Sequence, residues 1–392
     1  MQFNERKSTI TKNFEQAFGG QPEIWVRAPG RVDLMGSHTD YNMGFVMTMT
    51  IDQDTWIAAR PRQDRQVHVR SLNISGESYF NLDTIDHDNT VSWSNYIRGV
   101  ANVLQEAGYV LQGFDGLIHS TIPFGSGLSS SAALEMAAAL VFQQVSGFTL
   151  DPVQMALYGQ KAENEFVGVR TGILDQYSSA MGKAGCALKL DCRNLTGENV
   201  EIADGLRVFI CDTRAERNLV GSEYDDRRQQ CEDGIRFLKK FFPKATALRD
   251  ISLAQFILHE KEMPELIARR CRFIIEENQR VLDLAVAMEK GDEGALATLY
   301  TSSYTGARDL FEIGAPAMEA MFTAAQKSPG IVGCRQAGAG FGGCMVALVK
   351  VDQAEAFSQQ VHRLYKEKTG NDPRIFNTTA SAGAGRLEIP TQ

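Results

Sequence analysis

Apolar residues recur at helical spacing across residues 5–18, where Ile10, Phe14 and Phe18 share one face, and this predicts an amphipathic opening helix. Residues 23–28 read as a strand that leads into a turn forced by Pro29 and Gly30. Residues 45–51, 55–60 and 67–72 are apolar or β-branched runs suited to a mostly antiparallel sheet. Helical spacing returns over 93–107 through Tyr96, Ile97, Val100, Val103 and Leu104. A short strand at 116–120 and a second long helix over 150–168 follow.

Strands at 187–191 and 206–211 bracket an expected turn at 194–199. A polar, glycine-containing loop near 196–206 separates two differently patterned halves, so domains 1–200 and 201–392 are expected. Beyond it the pattern predicts helices over 222–242, 253–256, 263–290 and 316–325, then strands at 343–351 and 374–378. Pro316 suits a helix start, where its missing N–H needs no partner. Long helices interleaved with strands imply an α+β second half, and no internal repeat is visible.

Length supports this division, because 392 residues exceed what one core comfortably holds. A net charge of −8 without a dense Lys/Arg cluster speaks against a nucleic-acid partner. It does not exclude an anionic substrate, since phosphate sites are often built from backbone N–H groups. The seven cysteines are scattered without CxxC spacing, so neither a disulfide framework nor a zinc site is expected. No apolar run follows the charged N-terminus and no uncharged stretch approaches bilayer length. The expectation is a reduced, cytoplasmic monomer that engages no membrane.

Candidate chemistry begins at residues 28–42, Ala-Pro-Gly-Arg-Val-Asp-Leu-Met-Gly-Ser-His-Thr-Asp-Tyr-Asn. One short segment delivers Arg31, Ser37, His38 and Asp40, a density of polar groups that is costly to bury without partners. Such a segment faces a polar ligand or lies as a solvated loop. The second motif runs from Pro123 to Glu135 and holds Gly125, Ser126, Gly127, Leu128 and the serines Ser129, Ser130 and Ser131. Its glycines let the backbone turn tightly, and the serines open an alanine-rich helix whose free N–H groups make an anion site. A capped helix after a flexible turn is the plainer alternative. The Walker A, dinucleotide and protein-kinase patterns all fail here. A third motif at 336–344 carries four glycines before an apolar strand and suits contact with a phosphate or adenosine, or a packed turn. Asp175, flanked by apolar neighbours and preceded by Glu163, is a structural carboxylate or a positioned base. Paired with an arginine, such a carboxylate has the chemistry that phosphoryl transfer to a hydroxyl requires.

In chain order these motifs resemble those of the GHMP kinase superfamily, and its galactokinase branch in particular. The first signature is similar to residues 30–42, the second to 125–132 and the third to 338–344. Further likeness lies at 93–99, 172–176, 191–193 and 222–224, so it spans nearly the whole chain. The resemblance implies an α+β, two-domain GHMP kinase fold: a mixed-sheet N-terminal domain and a ferredoxin-like C-terminal domain with the active site between them. It implies ATP-dependent phosphorylation of the anomeric hydroxyl of D-galactose. ATP would lie over residues 125–131, with Mg2+ at Ser131 and Glu163. Asp175 would meet the anomeric hydroxyl with Arg31 as its cationic partner, while His38, Asp40, Gly172 and Tyr224 would grip the other hydroxyls.

Ser37 departs from the family pattern, which has a glutamate there that resembles a contact to the sugar C6 hydroxymethyl. Serine is too short to reach the same atom, and an unmet hydroxyl weakens discrimination at C6. L-arabinose or a C6-modified galactose is therefore the alternative substrate. A non-catalytic sugar sensor is the rival from another class, although Arg31, Ser131, Glu163 and Asp175 are all retained.

Overall fold

A computed structural model describes residues 2–215 and 221–388. The chain opens with α1 (Phe3–Phe18), which buries Ile10 and Phe14 against Trp25, Trp56 and Leu117. The strands β1 (Ile24–Met35), β2 (Phe45–Pro61), β3 (Gln66–Ser71) and β4 (Glu77–Asn81) follow. Then come α2 (Asn95–Glu106), β5 (Phe114–Ser120), α3 (Ser130–Ser146), α4 (Pro152–Lys161), α5 (Leu174–Met181), β6 (Cys186–Asp191) and β7 (Thr196–Glu201). The first sheet is mixed: β3 runs parallel to β5, and the remaining pairs are antiparallel.

The second half holds β8 (Leu206–Asp212), α6 (Gly221–Leu238), α7 (Leu253–His259), α8 (Glu265–Lys290), α9 (Glu293–Asp309) and α10 (Pro316–Gln326). It closes with β9 (Ile331–Gln336), β10 (Cys344–Lys350), α11 (Ala354–Thr369), β11 (Arg374–Thr378) and β12 (Gly385–Arg386). Its sheet has the order β11-β8-β10-β9, all antiparallel, the arrangement of a ferredoxin-like split βαβ unit. The chain then returns, and β12 pairs with β1 at the edge of the first sheet. Among the described residues no helix is long and apolar enough to cross a membrane.

Several expectations are corrected. Pro29 and Gly30 do not turn the chain: β1 runs through them, and the register slips between Pro29 and Arg31. Proline needs no ladder bond there, and a side chain at Gly30 would meet the Leu128 carbonyl at 2.6 Å. The result is a bulge that re-aims Arg31. Residues 45–51 and 55–60 fuse into one strand because β2 serves two partners, β6 with its first part and β5 with its last. Most of the turn expected at 194–199 is the edge strand β7, held by backbone pairing despite a polar, exposed sequence. The long helix over 150–168 is α4 followed by a π-helical turn, Ala162–Val167. The helices α5, α9 and α11 and the strands β4, β9 and β12 were not anticipated, although α11 sets Phe357, Val361 and Tyr365 on one buried face.

The two sheets are joined by buried charge. Arg335 on β9 is fully buried and donates to Glu277 Oε1 on α8 (3.2 Å), Ser303 Oγ on α9 (3.0 Å) and Ser37 Oγ beyond β1 (2.8 Å). Glu277 also accepts from the Gly36 amide (3.0 Å) and from Arg280 Nε (2.7 Å). Burial alone would raise the Glu277 pKa, but Arg280 and Arg335 hold it below the ordinary carboxylate range. Removing one partner would leave the other charge buried and unpaired. Arg335→Ala is therefore expected to cost about 3–5 kcal/mol of unfolding free energy, read from urea denaturation. A loss near zero would contradict the role assigned to this network.

Candidate active site

The first motif wraps one end of a small cavity. Beyond β1 the chain turns at Gly36 and at His38, whose φ is 66°, before a short helical turn over Asp40–Asn42. His38 Nε2 faces the Ala339 carbonyl at 2.9 Å, and Nδ1 faces the Tyr41 hydroxyl at 2.8 Å. A carbonyl can only accept, so Nε2 carries the proton and Nδ1 accepts from Tyr41. Burial lowers the His38 pKa to about 4, in keeping with this neutral form. Asp40 moves the other way: burial, with the nearby charges of Asp175 and Asp33 adding to it, raises its pKa to about 6. Gly172 must lack a side chain, because a Cβ there would overlap the Asp40 carboxylate.

Arg31 faces Asp175 in the first turn of α5. Its Nε donates to Asp175 Oδ1 at 2.8 Å and Nη2 reaches the same oxygen, while Nη1 donates to the Gly127 carbonyl at 2.8 Å. One guanidinium thus holds both the carboxylate and the glycine-serine loop. The cavity beside it, about 110 Å3, is lined by Arg31 and Asp175. All five residues expected at the sugar, Ser37, His38, Asp40, Gly172 and Tyr224, line it too.

A second cavity of about 620 Å3 adjoins the first and shares Arg31, Thr171, Asp175, Tyr224 and Ala339 with it. Gly125, Gly127, Ser129, Ser130 and Ser131 form one of its walls. Gly125 and Gly127 have φ of 71° and 81°, and Ser129 at 59° is left-handed as well. Ser129 precedes α3 without capping it, and its buried hydroxyl has no hydrogen-bond partner among the described residues. The first N–H groups of α3 therefore lack a side-chain cap, which suits an anion. Ser126 and Leu128 do not line this cavity. Ser126 Oγ donates back to the Pro123 carbonyl at 2.7 Å, and Leu128 is buried in the core.

The π-helical turn brings Glu163 to the same place. Its Oε2 accepts from Thr171 Oγ1 (2.6 Å) and Gln176 Nε2 (2.8 Å). Burial raises its pKa, and hydrogen bonds from Thr171, Gln176 and Ser131 oppose the rise. Ser131 and Glu163 are thus adjacent oxygen donors at the start of α3, the ligand type that hard divalent cations take. Gln176 Nε2 also donates to Glu135, at 2.8 Å, so one amide bridges two buried carboxylates. The only pointer to Glu135 in the sequence was a lone charge inside an alanine-rich helix.

The third motif connects β9 to β10 and lies over the first motif more than over the phosphate loop. The Gly338 carbonyl accepts from Ser37 (3.1 Å), and a side chain on Gly340 would meet the Ile313 carbonyl at 2.5 Å. Asp33, Gln176 and Arg335 were not anticipated, because their roles depend on partners distant in sequence.

This architecture, with an uncapped helix start beside a polar cavity, is that of a GHMP-type small-molecule kinase. Residues 12–61 match the galactokinase galactose-binding signature, and residues 95–183 match the GHMP kinases N-terminal domain. The galactokinase of Roseiflexus sp. (strain RS-1) is 42% identical over 378 residues, covering 96% of each chain. That of Chloroflexus aurantiacus is 41% identical over 376 residues, again 96% of each. The crystal structure of Lactococcus lactis galactokinase complexed with galactose superposes with a TM-score of 0.94 at 32% identity, over 97% of this chain and 100% of that one. Methanococcus jannaschii mevalonate kinase, at 18% identity and a TM-score of 0.65 over 92% of this chain and 99% of that one, shares the fold. The chain belongs to the galactokinase family.

The Asp40 environment is open to direct measurement. In the ligand-free protein its carboxyl carbon, followed by NMR, is expected to titrate near 6. Asp175→Asn should lower that value, because it removes a repelling charge and frees Arg31. Titration of Asp40 in the ordinary aspartate range in the unsubstituted protein would contradict the burial described.

Proposed function

We propose that this chain transfers the terminal phosphoryl group of ATP to the anomeric hydroxyl of D-galactose, yielding galactose 1-phosphate and ADP. The observation that carries this reading is the Arg31–Asp175 pair at the junction of the two cavities. A sugar in the smaller cavity would present one hydroxyl at that junction, facing phosphates seated on the start of α3. Asp175 accepts a hydrogen bond from this hydroxyl, aims its oxygen at phosphorus and draws off the proton as the O–P bond forms. Arg31 favours the ionised carboxylate and offsets negative charge that develops beside the loop.

The backbone N–H groups at the start of α3 cradle the phosphates, and Gly125 and Gly127 allow their close approach. Ser131 and Glu163 supply oxygen ligands for Mg2+, which neutralises phosphate charge when bound. Asp40 and Tyr224 meet sugar hydroxyls across the ring, with Gly172 making room for the Asp40 carboxylate. His38 has both ring nitrogens engaged by the protein and acts mainly by fixing the cavity wall.

The test is ADP release in a coupled assay with D-galactose, L-arabinose, galacturonate, N-acetylgalactosamine and 2-deoxygalactose, with the product position read by phosphorus NMR. D-galactose is expected to give the highest kcat/KM and a 1-phosphate. Asp175→Asn should abolish sugar phosphorylation while ATP binding stays nearly intact. Near-native turnover in that variant would make Asp175 a structural carboxylate and overturn the mechanism.

A further inference from the structure

Asp33 and Ser37 line the smaller cavity and have no part in the larger one. Ser37, which stands where the family has glutamate, is already engaged by the protein. Its hydroxyl lies 2.5 Å from Asp33 Oδ2 and 3.1 Å from the Gly338 carbonyl, and it accepts from Arg335 Nη2 at 2.8 Å. A hydroxyl has one proton to give, and these acceptors claim it. Asp33 differs. Its side chain is 1% exposed, Oδ2 is taken by Ser37, and Oδ1 is buried with no hydrogen-bond partner among the described residues. Arg335 Nη1, on the far side, stands 3.5 Å from that oxygen. An orphaned carboxylate oxygen is expensive to maintain without a ligand to satisfy it.

The strand fixes where such a ligand group would sit. Arg31 and Asp33 are alternate residues in a regular stretch of β1, so both face the cavity, roughly 6.5–7 Å apart along the strand. In a pyranose the ring oxygen separates C1 from C5. With the reacting C1 hydroxyl at Arg31 and Asp175 and the ring-oxygen side of the sugar turned toward β1, the C5 substituent falls toward Asp33.

Building on the kinase reading above, we propose that Asp33 Oδ1 accepts a hydrogen bond from the sugar C6 hydroxyl and sets the preference for a hexose with a free hydroxymethyl group. The carboxylate that the family carries at position 37 has its counterpart at position 33, two residues from Arg31, with Ser37 and Arg335 holding it in place. Burial raises the Asp33 pKa despite Arg335, and a C6 carboxylate would add a second acid group against it in the same buried wall and be disfavoured.

The experiment compares kcat/KM for D-galactose, 6-deoxy-D-galactose, L-arabinose and galacturonate. The native chain should favour D-galactose over the 6-deoxy sugar by about ten- to hundredfold, as expected for one hydrogen bond to a charged acceptor. It should favour D-galactose over L-arabinose as well, and it should not use galacturonate. In Asp33→Asn, which keeps shape but not charge, the galactose to 6-deoxygalactose ratio should fall roughly tenfold, with the 6-deoxy rate little changed. Equal use of the two sugars by the native chain overturns the proposal even if the variant fails to fold. An equal slowing of both sugars in the variant overturns it too. Absence of turnover with every sugar would remove the kinase reading and this inference together, whereas turnover without C6 preference removes the inference alone.

Discussion

The site depends on one guanidinium. Arg31 donates to Asp175 through Nε and Nη2 and to the Gly127 carbonyl through Nη1, so the Asp175 carboxylate and the glycine-serine loop are held by the same rigid plane. The bulge at Pro29 and Gly30 lets β1 point that side chain inward, and the backbone amide of Arg31 bonds the Leu128 carbonyl at 3.2 Å. Strand, loop and α5 are thereby fixed relative to one another before any ligand arrives. That preorganisation matters, because phosphoryl transfer asks for alignment more than for covalent chemistry from the protein.

A second constraint acts from behind the sugar cavity. The charges of Asp33, Glu277, Arg280 and Arg335 sit where β1, α8 and β9 meet, away from the screening of bulk water. Each belongs to at least one ion pair, although Asp33 Oδ1 accepts and Arg280 Nη2 donates no hydrogen bond among the described residues. Of these side chains Asp33 lines the smaller cavity, and Arg335 backs it through Ser37, so displacing that wall would disturb the buried ion pairs that tie the two sheets together. The glycine-rich loop after β9 reinforces this by laying its carbonyls on Ser37 and His38.

Much of the site was legible because its chemistry is local. Arg31, Ser37, His38 and Asp40 lie within one short segment of sequence, and the Gly-Ser loop announces a helix start by composition alone. The α+β class followed from periodicity, since α1, α2 and α8 carry clean apolar faces. What escaped was set by distant partners. Asp33 had no role assigned within the first motif until Arg335 and Ser37 were placed beside it, nor had Gln176 until two buried glutamates were found on its amide. Pro29-Gly30 signals a turn wherever no sheet surrounds it, but pairing with β2 overrides that preference. The helix α9 buries Ser303 and Gly306 among its apolar residues, and that blurs its period.

The central claim, that a single fork aligns base and phosphate loop, is tested most directly by kcat of Arg31→Lys with both substrates saturating. Lysine keeps the charge but is a flexible point donor that cannot reproduce the planar fork. A fall in kcat of about a hundredfold or more, with sugar and ATP dissociation constants changed far less, is the predicted result. A kcat close to that of the native protein would contradict the account.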